Sequence, residues 1–353
     1  MIQEDKPRLF GIKYSNRDFT NAETWGKNQF NSSFPAALVA YMFSKNIDSV
    51  YITTNNNKIQ HRFISGDRLF GISPLSDNAF YAFESVYTPY QPFYIGNTPR
   101  IDLVIQNKDN GNCISGLEVK LTALPDNSTC NLAEDQYSSE IVIRPDTISY
   151  LACSIAKHYL ANTDLLKHIL GDFSIIKDWE DPNEVISNYH LFVKAATNLI
   201  VRHQENQEPL ILEPVWKTKG KAPILAENCL DVFVWSNLAV IHLFTDFSKT
   251  RINKIGRTER TLIWLVKMLW DFSQFRQFHA EDIIDRLSFN TKNDKAFSVN
   301  GHITYPMLKS KELTNPRIKK DEIKNIILGG GQNLLSPERR FDAILFNSPN
   351  LFK

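Results

Sequence analysis

The stretch from Pro99 to Leu121 limits the fold more than any other part of the chain. Its first run, Ile101 to Gln106, is almost continuously apolar, the composition of a strand covered on both faces. Its second run, Leu117 to Leu121, alternates. Leu117, Val119 and Leu121 share one face, Glu118 and Lys120 the other. Between them, Lys108-Asp-Asn-Gly-Asn is a strong turn signal. A turn there lets the strands pair antiparallel and can bring Asp102 level with Glu118 and Lys120. Two carboxylates and an ammonium would then meet at one point on a rigid sheet.

That grouping suits one kind of chemistry. Two acidic side chains can hold a hard divalent cation such as Mg²⁺, which takes oxygen ligands and keeps several waters. A lysine beside it can orient or deprotonate an attacking water and stabilise charge on a phosphate. This is the layout of a metal-dependent phosphodiesterase. Glu-x-Lys also begins at Glu4, in a polar terminal segment, and at Glu322, in a helical pattern. Only the Glu118 copy lies on an alternating strand just after Pro99-Arg-Ile-Asp102. The plainer alternative is a surface Glu–Lys pair on a half-exposed strand, with Asp102 as a strand-start turn residue.

A chain of 353 residues is enough for one large domain or two modest ones. With 42% hydrophobic residues, including 23 Phe and 12 Tyr, it can build a substantial core. The net charge of +1 gives no bulk electrostatic case for nucleic acid, but leaves room for a locally basic cleft. Cys113, Cys130, Cys153 and Cys229 are scattered, with no Cys-x-x-Cys pair. That pattern argues against a zinc site or a disulfide framework and favours a reducing cytoplasm. The first residues lack the apolar core of a signal peptide, and no apolar run approaches the roughly 18–20 residues of a membrane span.

Along the chain, Ser33 and Pro35 predict the start of a helix with an apolar stripe of Phe34, Leu38, Tyr41 and Met42, ending near Asn46. Lys27, Asn28 and Gln29 precede it. Val50–Thr54 and Ile59–Ile64 predict strands around Asn55-Asn-Asn. The aromatic run from residue 78 to 94 holds Glu84, which needs a partner there. A third metal ligand and a satisfied structural carboxylate are both open. Glu140–Ile143 predicts a third strand, Pro145 stops it, and Asp146 is placed as N-cap of the next helix. Arg144, at the strand end, is a candidate phosphate contact or a partner for a surface acid. The order helix, strand, strand, strand, helix gives a compact α/β core.

Residues 164–205 are mainly helical in pattern, and Leu210–Trp216 reads as a strand. Lys217, Lys219 and Lys221 flank a glycine in a loop suited to phosphate contacts, or simply to solvent. Asp231–Phe244 reads as a tight hairpin in which His242 is a core residue rather than a ligand. Lys249, Arg251, Lys254, Arg257 and Arg260 form the most basic stretch, leading into a helix from Thr258 to about Phe275. A basic run ahead of a helix N-terminus suits phosphate. Asn300-Gly301 predicts a hairpin turn whose tip is a candidate for the major groove. Gly329-Gly-Gly is not a nucleotide loop, since no Gly-Lys-Ser/Thr follows.

Taken together, these residues resemble the PD-(D/E)xK nuclease superfamily and, within it, the HindVP/HgiDI family of type II restriction endonucleases. The resemblance covers most of the chain. It rests on Trp25-Gly-Lys-Asn-Gln-Phe-Asn-Ser-Ser-Phe-Pro, Pro99-Arg-Ile-Asp, Gly116-Leu-Glu-Val-Lys-Leu-Thr-Ala-Leu-Pro-Asp and Arg144-Pro145. It implies a restriction-endonuclease-like core, a central mixed sheet flanked by helices, within residues 1–165. A helical and hairpin elaboration for DNA recognition and dimerisation, continuous with the core, would follow over 166–353. It implies Asp102 and Glu118 as metal ligands, Lys120 as catalytic lysine and Mg²⁺ as cofactor. It also implies a homodimer that cuts double-stranded DNA at the palindrome GRCGYC, with a companion methyltransferase protecting the host genome. The alternatives are a repair or recombination nuclease of the same superfamily and a non-catalytic DNA-binding protein.

Overall fold

A mixed β-sheet crosses the molecule with helices packed on both faces. The computed structural model describes residues 9–17, 27–120, 140–216, 228–291, 296–300, 317–319 and 322. In chain order these are β1 (Tyr14–Ser15), α1 (Lys27–Ser44), β2 (Ser49–Asn55), β3 (Lys58–Ile64), α2 (Gly66–Phe70), β4 (Ala79–Ser85), β5 (Ile101–Asn107), β6 (Cys113–Val119) and β7 (Glu140–Ile143). Then follow α3 (Pro145–Tyr159), α4 (Thr163–Leu170), α5 (Pro182–Ser187), α6 (Tyr189–Arg202), β8 (Pro209–Trp216), β9 (Asn228–Ser236), α7 (Asn237–Phe247), α8 (Arg257–Phe275), α9 (Ala280–Arg286), β10 (Phe297–Asn300) and β11 (Ile318–Lys319).

The main sheet runs β1-β4-β5-β6-β8-β9-β2-β3, with β11 also on β9. Its parallel pairs are β1 with β4, β6 with β8 and β2 with β9. Strands from both halves of the chain interleave: β8 and β9 lie between β6 and β2. The two-residue period of the strands sorts the core into two layers. Leu103, Ile105, Leu117 and Leu212 pack with Phe34 and Leu38 of α1. Val104, Ile211, Phe233 and Trp235 pack with α3, α7 and α8 through Ile148, Leu238 and Trp264. Each such apolar side chain contributes roughly 1.5–3 kcal/mol on burial, so both central strands are clamped from above and below.

The predicted hairpin at Asn55 forms: β2 and β3 pair antiparallel, and Asn56 and Asn57 both take positive φ. The expected helical region from 164 and the strand at 210 also form. Four expectations are corrected. First, α1 begins at Lys27, so Ser33 is not its N-cap and Pro35 sits inside it. The polar residues of its first turns carry no apolar period to mark them. Second, Arg144 rather than Asp146 is the N-cap of α3, because Pro145 takes the first helical position, where its missing N–H costs nothing. Third, β7 does not enter the main sheet; it pairs antiparallel with β10, and β8 takes the place beside β6. Asn300 ends β10, which lies on β7, and residues 301–316, which would complete the predicted hairpin, lie outside those described.

Fourth, the segment from Asp231 is a strand followed by a helix, not a hairpin. Ser236 ends β9 and caps α7, its side chain accepting from the Ala239 N–H at 3.1 Å. The run Leu238–Phe244 is buried on every side, and such a run shows neither a two-residue nor a 3.6-residue period. His242 therefore lies on a helix, with Nε2 3.1 Å from the Asn57 carbonyl and Nδ1 3.1 Å from Asp246. Replacing Ser236 with Ala should lower stability by about 1 kcal/mol, the usual cost of a lost N-cap; urea denaturation reads this directly.

Candidate active site

The register of the two central strands places the predicted trio. Leu103 pairs with Leu117 and Val104 with Gly116, which sets Asp102 opposite Glu118 at the next step. There the ladder stops and side chains take over. The Asp102 Oδ2 accepts the Val119 N–H at 2.8 Å, filling the place of a strand carbonyl. On the other side, Glu118 pairs with Ile211 of β8, and the Lys120 N–H donates to the Leu212 carbonyl at 3.0 Å. Lys120 Nζ donates to Glu118 Oε1 at 2.5 Å. The trio is held by backbone bonds on both flanks, with Glu118 buried and Asp102 and Lys120 half-buried.

Burial and the adjacent Glu118 push the Asp102 carboxyl up to about 7, against the opposing pull of Lys120 and the Val119 N–H. Two carboxylates crowded into one dry corner repel, and this is the electrostatic situation a cation relieves.

Helix α3 forms the facing wall, and most of it escaped the sequence argument. Thr147 is fully buried and its Oγ1 donates to Glu118 Oε1 at 3.0 Å. Lys120 and Thr147 thus hold the same oxygen, and among the described residues no bond occupies Oε2. Asp146 is exposed as a residue, but its carboxyl is partly desolvated against the sheet; that desolvation and then Glu118 raise its pKa, while Lys120 and Arg144 oppose. Tyr150 is buried and its hydroxyl has no hydrogen-bond partner among the described residues. The available signal was the spacing Asp146-Thr147-x-x-Tyr150 right after a strand end, which places the last two on one helical face.

The remaining candidates fall in different places. Glu84 lies between the pairs Phe83–Leu103 and Ser85–Ile101, opposite Asp102. It takes φ of 48°, is exposed, and forms an ion pair with Arg17 at 2.9 Å. Arg144 is exposed at the N-terminus of α3, acting on Asp146. Arg251, Lys254 and Arg257 are exposed ahead of and at the start of α8. Arg260 of the same basic stretch is not on the surface: it is fully buried, lies over the Trp264 ring and donates to Thr291. The Glu259 carboxylate already accepts the Gly256 N–H at the α8 N-terminus. Lys217, Lys219 and Lys221 lie outside the described residues, and only the backbone of Asn300 is described.

A mixed sheet flanked by helices, with an acid pair and a lysine at the end of its central strands, is a restriction-endonuclease-like α/β fold. The sequence comparisons agree with that class. The chain belongs to the HindVP restriction endonuclease family, whose pattern matches residues 25–352. It is similar to the type II restriction enzyme HgiDI of Herpetosiphon aurantiacus, 49% identical over 99% of this chain and 98% of that protein. It is also similar to the probable type II restriction enzyme HindVP of Haemophilus influenzae, 45% identical over 99% of this chain and 96% of that one. No solved structure matches the chain. The protein is thus a type II restriction enzyme, a site-specific deoxyribonuclease. Enzymes of this class act on double-stranded DNA and in general need a divalent metal ion. Among the described residues, no helix is long and apolar enough to cross a membrane.

Proposed function

We propose that the enzyme hydrolyses double-stranded DNA at a short palindrome, GRCGYC as the family resemblance implies, with Mg²⁺ as the metal and Asp102, Glu118 and Lys120 as the working groups. The observation that carries this is the register that sets Asp102 opposite Glu118, with the Lys120 ammonium 2.5 Å from the same carboxylate. Among the described residues, no group of three or more His, Cys, Asp or Glu side chains is arranged to hold a metal. The donor set still fits a hard divalent ion. Mg²⁺ is commonly held by one or two carboxylates, with water and substrate phosphate filling the other positions. Asp102 and Glu118 would hold it, and Glu84 would join only by giving up Arg17. Bound there, the ion supplies charge stabilisation at the phosphate and the leaving oxygen.

The chain's own residues do the rest. Lys120 holds Glu118 in place and offers its ammonium to a water or a phosphate oxygen. Val119 orients Asp102. Arg144, Arg251, Lys254, Arg257 and the lysines 217, 219 and 221 are the proposed phosphate contacts, with Asn300 a candidate at the bases. The catalytic side chains are assigned to residues 1–165, and recognition and dimerisation to 166–353, which also supply β8 and β9 to the central sheet. A palindrome is read by a two-fold dimer carrying one site per strand. Such an activity needs a companion methyltransferase in the host cytoplasm. The test is digestion of plasmid DNA with Mg²⁺ and mapping of the ends. Ends fixed within GRCGYC are the expected result. Fixed ends at another sequence discard the target but keep the enzyme class, and ends that follow DNA shape instead point to a repair-type nuclease.

A further inference from the structure

Beside the trio, among the described residues, packing leaves the buried hydroxyl of Tyr150 unexplained. Its ring lies in the core, 1% exposed and tilted against Tyr90 with centroids 6.5 Å apart. A Phe would pack there equally well. The oxygen has no partner among the described residues, yet buried polar groups in folded proteins almost always have one, ordered water included. The groups acting on it are, in order, the Glu118, Asp146 and Asp102 carboxylates and then Tyr94, and they add to burial in driving its pKa upward. Thr147 on the same helical face already bonds Glu118, and Asp102 shares its strand face with Val104, which packs in one cluster with Ile148 and Tyr150 of α3, so the phenol is a hydrogen-bond donor on the wall beside the acid pair. A bridging water needs two to four polar neighbours, and the phenol and the two carboxylates are groups of that kind. Thr147, three residues earlier on the same helical face, decides which Glu118 oxygen is left for that water.

We propose that Tyr150 and Thr147 are positioning residues for DNA hydrolysis: the Tyr150 hydroxyl donates to a water held against the Asp102 and Glu118 carboxylates, and Thr147 fixes the Glu118 rotamer that receives it. This rests on the proposed role of the trio as the nuclease centre. No bond is made or broken by either residue; each sets where a water or phosphate oxygen sits when the ester is attacked.

The experiment uses full-length wild type, Tyr150→Phe, Thr147→Val, Thr147→Ser and Asp102→Ala. It measures single-turnover plasmid cleavage across Mg²⁺ concentration and pH, DNA binding with Ca²⁺ in place of Mg²⁺, and thermal melting. Tyr150→Phe should melt and bind DNA like wild type, cleave about 10-fold more slowly, as loss of one well-placed hydrogen bond does, and need several-fold more Mg²⁺ to reach half-maximal rate. Thr147→Val should do the same and Thr147→Ser should recover. Wild-type cleavage by Tyr150→Phe at every Mg²⁺ concentration overturns the proposal. So does a slower rate matched by equal losses in DNA binding and melting temperature, which is a packing defect. If Asp102→Ala also cleaves normally, the trio itself is misassigned; if it is inactive while Tyr150→Phe is unimpaired, only the role of the α3 wall fails.

Discussion

Replacing Asp102 with Ala should leave a folded protein that still binds its DNA site and no longer cuts it. The rate should fall by about 10³-fold or more, the scale on which loss of one charge-stabilising group at a reacting centre acts. Folding should survive because Asp102 is a crowded acid: burial and Glu118 hold its pKa near 7, and removing it relieves repulsion at the cost of one hydrogen bond to the Val119 N–H. Gel-shift binding with Ca²⁺ and single-turnover cleavage with Mg²⁺ separate the two outcomes. Cutting at the wild-type rate would remove Asp102 from the site. Loss of binding along with cutting would mean that the carboxylate shapes the DNA surface rather than the chemistry.

The second large effect concerns Glu213, on β8. It is completely buried, its Oε2 accepts the Trp235 indole N–H at 2.6 Å, and its Oε1 has no partner among the described residues. Burial drives its pKa up to about 8, with the Trp235 bond opposing. The folded-state value thus exceeds that of the unfolded chain, so the folded protein holds a proton that the unfolded chain has released. Stability from this group is fully present below about pH 4.5 and is lost progressively as pH rises to about 8, where the loss levels off. Glu213→Gln keeps the shape and cannot ionise. It should match wild type near pH 5 and exceed it at pH 8 by on the order of a few kcal/mol, read from urea midpoints across that range. Parallel pH profiles for the two proteins would mean that Glu213 titrates normally.

How much of this was legible in the residues depends on the range of the interaction involved. Asp102, Glu118 and Lys120 could be brought together on paper because strand alternation and one tight turn are local, and two paired strands leave few registers. The Asn56-Asn57 turn and the helix α8 were legible for the same reason. Ser236 was not, because a run buried on all sides has lost the period that separates strand from helix. Arg260 looked like a surface cation within a basic stretch, but Trp264, one helical turn away, and Thr291 give it a buried berth.

The chain by itself therefore determined the mixed α/β class, the central strand pair and the three side chains at its end. Tertiary structure alone decided that β8 rather than β7 flanks β6, that Arg17 meets Glu84, and that Thr147, Asp146 and Tyr150 wall the acid pair. The physical reason is that pairing and burial across long sequence separations are chosen by competition among many surfaces. A residue's own neighbours in sequence record only the local part of that choice.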